Sequence, residues 1–222
     1  MSDAALASSL PTSPSRPGVR VAVALALGAW LAGVALLGAA HAFDTAPGKP
    51  PLPIALGVLA PVAVFFIALA ASRSFKDWVL ALDPRVMAGL QAWRFGGFAF
   101  VALYAHDILP GRFALPAGLG DMAIAAAAPW ILARLLREPT FAASRAYVAW
   151  NVLGLVDLAL AVIEGGLGAV LATGAPGEIS TAPMAHLPLL LIPAWFVPLF
   201  VMIHAAALMQ ARRMAQRPRA AA

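Results

Sequence analysis

Arg94, Asp121, Asp157, Glu164 and His204 are ionisable side chains set inside long apolar stretches. Charge at mid-bilayer costs about 2.5–3.5 kcal/mol per group on insertion scales, so each must be paired, hydrated or used. Carboxylates, an imidazole and an arginine at membrane depth are the parts of a proton relay or a cation site. Asp157, Ala161, Glu164 and Gly168 follow i, i+4, i+7, i+11 spacing, which puts both acids on one helical face. Trp150 joins that stripe one heptad earlier, and Asn151 adds an amide toward the same end. A stripe of this kind points into the bundle or a water-filled cavity and away from lipid.

Depth follows from a rise of about 1.5 Å per residue. Arg94 and Asp157 each fall about 15 Å beyond the start of their stretches, and His204 lies about 7–12 Å from the end of the last. With Gln91 and Asn151 they form an inner-to-middle layer that can neutralise itself. Asp121 is about 7 Å into its stretch if Pro116 opens the helix, and Glu164 lies about 10 Å from the same side. No basic residue shares the depth of this outer pair, and that surplus of acid is the strongest sequence argument for handling a proton or cation. In this reading Asp121 and Glu164 admit the ion, Asp157 relays it, and Arg94 and His204 gate it. The plainer alternative is a framework in which Arg94 pairs with Asp157 while Gln91, Asn151 and His204 hydrogen-bond between helices.

The elements that position these groups are membrane spans. Apolar residues make up 62% of the chain and charged ones 11%, far from a soluble domain. Six stretches approach the ~20 residues needed to cross ~30 Å of hydrocarbon. They run over 19–40, 52–71, 84–108, 116–136, 147–171 and 186–209. The expected fold class is an all-α membrane protein, a six-transmembrane-helix bundle with both termini cytoplasmic and with proline-kinked helices. Residues 1–18, small, polar and rich in proline, read as a disordered cytoplasmic tail, residues 19–211 as a single transmembrane domain, and residues 212–222 as a basic tail.

Loop charge sets the orientation. The segments placed inside hold Arg16, Arg20, Arg73, Lys76, Arg85, Arg134, Arg137, Arg145, Arg212, Arg213, Arg217 and Arg219, while those outside hold Lys49 and Arg112. This bias favours cytoplasmic termini. It also explains the net charge of +5 without nucleic acid, which is not an expected partner. Ala40-His41-Ala42 resembles a small-x-small cleavage site, but the apolar run before it exceeds a signal-peptide core, so the first span is expected to be retained.

Local signals mark several boundaries. Asp83 before Pro84 reads as an N-cap followed by proline at the first helical position. Phe75, Trp78, Val79 and Leu82 have the spacing of a short amphipathic helix, with a loop bearing an aromatic anchor as the alternative. Pro188, Pro193 and Pro198 predict a kinked or partly unwound last span, and Pro61 and Pro129 predict bends in the second and fourth. The run from Ile108 to Asp121 reads either as a re-entrant segment or as a tight hairpin. No internal repeat is evident.

Several chemistries are set aside. The chain has no cysteine, which removes disulfides, iron–sulfur clusters and thiolate metal sites. No cofactor is expected. Haem would need two facing imidazoles at one depth, and only His41, His106 and His186 could supply them. No metal centre is expected either, since there is no HExxH element, and serine-nucleophile, phosphate-loop and dinucleotide motifs are absent. The expectation is a non-enzymatic bacterial inner-membrane protein, permease- or channel-like, that handles a small solute or protons and has the bilayer, and a homo-oligomer, as its surroundings. The alternative class is an assembly protein whose polar groups only hold helices together.

Overall fold

Hydrocarbon offers backbone N–H and C=O groups no partners, so the apolar runs satisfy them internally as helices. The computed structural model describes residues 17–216, which contain helices and no strands. Its helices are α1 (Pro17–Ala39), α2 (Leu52–Ala71), a short α3 (Arg73–Leu80), α4 (Pro84–Ala105), α5 (Gly111–Arg137), α6 (Arg145–Val170) and α7 (Ile192–Gln216). All but α3 are long and apolar enough to cross a membrane. The protein is therefore an all-α, six-helix membrane bundle. The tail readings fall mostly outside the described residues, which exclude 1–16 and 217–222; Pro17 and Gly18 already belong to α1, and Arg212 and Arg213 to α7.

Short connections make successive helices antiparallel, which defines two ends of the bundle. The α1–α2, α4–α5 and α6–α7 connections lie at one end, here termed the mouth; α3 and the α5–α6 connection lie at the other, the base. The base half is filled by an apolar core that includes Leu69, Val79, Met87, Ile131, Leu135 and Tyr147. α3 is the amphipathic helix its spacing predicted: Val79 is buried, Phe75, Trp78 and Leu82 pack on that core, and Lys76 and Asp77 lie on the opposite side. Gln210 of α7 secures it by donating to the carbonyls of Val79 and Leu82 at 3.1 and 2.9 Å.

Polar caps fix the base-end helix starts. Ser72 Oγ accepts from Phe75 N at 3.2 Å, Asp83 Oδ1 from Arg85 N at 2.8 Å, and Ser144 Oγ from Tyr147 N at 3.2 Å. Ser144→Ala should lower stability by about 1 kcal/mol, the usual value of such a cap, read as a lowered unfolding temperature of the purified protein.

Two helices depart from the α form where it matters. In α4, Gln91–Gly97 is a 3-10 segment. Its buried residues are Gln91, Arg94 and Gly97, three apart, because a turn of 3.0 residues aligns i and i+3 on one face. Trp93, Phe95 and Phe98 point outward to the lipid-exposed surface. Gly96 and Gly97 lower the helix propensity of this stretch, and no proline is involved. In α7 the first turn is a π-turn, Ile192–Phe196, where Val197 N bonds Ile192 O. Before it, residues 187–190 form turns, so the proline-rich beginning of the last span is partly unwound, as the prolines predict.

α5 begins earlier than expected. The connection after Ala105 is a tight hairpin with Asp107 at φ 54°, and helix resumes at Gly111, not at Pro116. Pro116 and Pro129 both lie inside α5, and Pro116 is exposed near its mouth-end start. Asp121 is thus about ten residues from the helix start, some 15 Å deep and near the middle of the span.

Candidate functional site

The site is built around Arg94, whose side chain is fully buried at the centre of the bundle. The 3-10 segment aims it inward, and glycines on the facing helices let those helices approach. A Cβ at Gly97 would lie 2.5 Å from Asp121 Cβ and 2.9 Å from Gly118 O, so α4 and α5 meet almost backbone to backbone there. Cβ atoms at Gly120 and Gly154 would collide with the Asp157 carboxylate and the His204 imidazole respectively. Small residues at these points convert four helix axes into a single contact zone.

Within it every nitrogen of the guanidinium has a partner. Nε donates to Asp121 Oδ1 at 2.6 Å, and Nη2 donates to Asp157 Oδ2 in a very close ion pair. Nη1 donates to Gly154 O at 3.3 Å and to His204 Nε2 at 3.1 Å. The Phe200 ring covers the guanidinium, its centroid 5.9 Å from Cζ. Arginine suits this position because its planar fork presents donors in several fixed directions at once.

The donor chain fixes the histidine tautomer. Arginine can only donate, so His204 Nε2 must accept, and the ring proton resides on Nδ1. Nδ1 then donates to Asn151 Oδ1 at 2.9 Å, and Asn151 Nδ2 donates to Tyr147 O at 2.9 Å. The imidazole is neutral in this arrangement, and Trp150 packs edge-on against it with centroids 5.9 Å apart. The ionic count is therefore one guanidinium against two carboxylates. On the same 3-10 face as Arg94, Gln91 is buried with neither amide atom hydrogen-bonded to a described residue.

Asp121 and Asp157 keep about one sixth of their side-chain surface open, while Arg94 has none. Asp121 faces a cavity of about 350 Å³ that extends from it to the mouth. Ile54 and Val58 of α2, Phe113 of α5, Leu158 and Val162 of α6 and Val197 of α7 give it apolar walls. Below the rim, Asp121 is the one ionisable group on those walls among the described residues; Asp44 and His186 stand at the rim. Toward the base there is only the packed core already described. The site is a blind apolar vestibule with a carboxylate at its closed end.

Arg94, Asp121, Asp157, His204 and Asn151 are brought together. The expected separation into two layers does not hold for Asp121, because the early start of α5 lowers it to the level of Arg94. Glu164 is not part of the assembly: it is half-buried on α6, off the cavity wall, with no hydrogen bond or ion pair to a described residue. Sequence reasoning missed the carbonyl of Gly154 and the role of Phe200. Gly154 itself, three residues before Asp157, was the readable signal for the first, since a helix carbonyl is more open to a neighbouring side chain where its own residue lacks one.

Comparison with known proteins adds a family and no chemistry. No curated protein and no solved structure matches the chain. A family model described as Domain of unknown function (DUF8737) matches residues 50–212, which span α2 to most of α7 and contain the whole ionic cluster. α1 lies outside the match and is loosely held, with only Val34 and Gly38 buried. With well over half of its length matched, the chain belongs to the DUF8737 family.

Proposed function

We propose that this integral membrane protein is a small permease-like protein of the bacterial inner membrane that binds a proton, together with a small and mainly apolar solute, at the Arg94–Asp121–Asp157 cluster. The observation that carries the reading is the charge count at the closed end of the vestibule. One guanidinium cannot neutralise two carboxylates, and a surplus charge in low dielectric is expensive. One proton or one monovalent cation restores neutrality. Asp121, on the vestibule wall, is the cluster group an incoming proton reaches first, and Asp157, on the other side of the Arg94 guanidinium, also retains some exposure.

The apolar walls suit a solute without strong hydration, and about 350 Å³ is room for a small organic molecule. Orientation supports delivery from outside the cell. Among the described residues the base carries Arg20, Arg73, Lys76, Arg85, Arg134, Arg137, Arg145, Arg212 and Arg213, against Lys49 and Arg112 at the mouth, a bias that supports a cytoplasmic base. In this state the vestibule opens outward and the inner half is shut.

A specific observation favours a second reading, a structural framework: every guanidinium nitrogen is satisfied inside the protein. Flux separates the two. In reconstituted vesicles with a pH-sensitive dye inside, an imposed acid-outside gradient should drive proton uptake by the native protein. Asp157→Asn should reduce that rate about tenfold or more while the size-exclusion profile stays native. An unchanged rate in folded Asp157→Asn, or no protein-dependent rate at all, overturns the transport reading.

A further inference from the structure

The mouth carries a second cluster that the ionic centre does not use. His41 and Asp44 stand in the connection after α1, and His186 stands just before α7. One nitrogen of each imidazole and a carboxylate oxygen of Asp44 lie within 4.8 Å of one another. His41 Nδ1 is 3.3 Å from Asp44 Oδ2, and His186 Nε2 is 3.1 Å from Asp44 Oδ1. His41 is held there by a left-handed backbone, φ 58°, a conformation uncommon outside glycine. The two rings meet edge to face with centroids 5.6 Å apart, and from two separate connections each brings a nitrogen to the Asp44 carboxylate.

We propose that His41, Asp44 and His186 form a site for a borderline transition-metal ion, Zn²⁺ or its analogues Co²⁺ and Ni²⁺. With metal–ligand bonds of about 2.0–2.1 Å, neighbouring donors on a tetrahedron are separated by about 3.3 Å. The two observed pairs stand near that separation on the two different oxygens of Asp44, and the donor atoms of all three residues lie within 4.8 Å of one another, so a single ion would draw them together by about an ångström. Two imidazoles and one carboxylate suit zinc and its analogues, whereas calcium and magnesium take oxygen donors. All three side chains are exposed, so an ion reaches them from solution. Asp44 and His186 also stand on the rim of the vestibule. An ion held by all three ties the α1–α2 connection to the start of α7 across that rim.

The full chain, purified in detergent without a histidine tag and stripped with chelator, tests this by titration with zinc chloride at pH 7.5. One saturable zinc per chain is expected, and cobalt should give the intense visible bands of a tetrahedral site. His41→Ala and His186→Ala should each weaken binding at least tenfold. His106→Ala, at the same end but outside the cluster, should leave it unchanged. Exposed positions make misfolding of these variants a minor concern, and thermal unfolding without metal checks it. Absence of saturable binding, or native affinity in the His41→Ala, His186→Ala double variant, overturns the site. So does a mature N-terminus at Phe43, since His41 is then missing from the protein. Vesicle flux plays no part in these readouts, so the metal site and the transport reading stand or fall separately.

Discussion

Arg94→Met should leave the chain unable to hold its native bundle, and adding Asp121→Asn and Asp157→Asn to the same chain should restore it. The single change removes the only cation among the cluster residues and strands two carboxylates in the middle of the span. Breaking a buried pair from one side typically costs about 3–5 kcal/mol, because the remaining charge is uncompensated. A total stability of about 5–15 kcal/mol leaves little margin for that loss together with the hydrogen bonds to Gly154 and His204. The triple variant replaces the charges by neutral groups of similar size, and such replacement is often neutral or stabilising. Size-exclusion profile and thermal unfolding in detergent read the outcome. A native profile for Arg94→Met alone would show that the ion pairs do not tie the helices.

The same variants separate framework from function. Asp121→Asn and Asp157→Asn each leave Arg94 a carboxylate partner, so single neutralisation should cost less than removing the arginine. A folded triple variant that still moves protons would assign the cluster to architecture. A folded triple variant without flux would assign it to the vestibule. Arg94→Lys should not substitute, because one ammonium cannot donate to Asp121, Asp157, Gly154 and His204 from a single position.

How far the sequence reveals this site can be judged residue by residue. Hydropathy finds all six spans because length and composition are local properties, and the cap at Asp83 marks a boundary for the same reason. The pairing of Arg94 with Asp157 was legible from depth alone. Asp121 was not, since its depth depends on whether Pro116 starts a helix or sits inside one, and both uses of proline occur in membrane helices. The 3-10 segment was hidden because Gln91, Arg94 and Gly97 can share a face in an α-helix too; what decides is the contact of Gly97 with α5. Asp44 between His41 and His186 was hidden by distance along the chain. Only the fold brings those two connections together.

Gly154→Ala should be among the most damaging single-methyl additions in the protein. The added Cβ would fall inside the contact radius of the His204 imidazole and 3.1 Å from Arg94 Nη1. Neither neighbour is a loose end: His204 is pinned by Asn151 and Arg94, and Arg94 by its carboxylates, with His204, Asn151 and Arg94 themselves buried. Relief must therefore come from moving α6 away from α7, which would lengthen the bond from Arg94 to the Gly154 carbonyl as well. Overpacking of this kind costs about 1–3 kcal/mol, and the rigid neighbours argue for the upper end. At about 2–4 °C per kcal/mol for a chain of this size, unfolding should fall by about 6–12 °C. Gly89→Ala is the matched control. A methyl there meets nothing within 4 Å, and alanine favours helix by up to about 1 kcal/mol, so that variant should be as stable as the native protein or slightly more so. Equal unfolding temperatures for the two would mean that α6 and α7 are not locked together through Arg94 and His204, and the close approach at Gly154 would lose its role in holding the cluster.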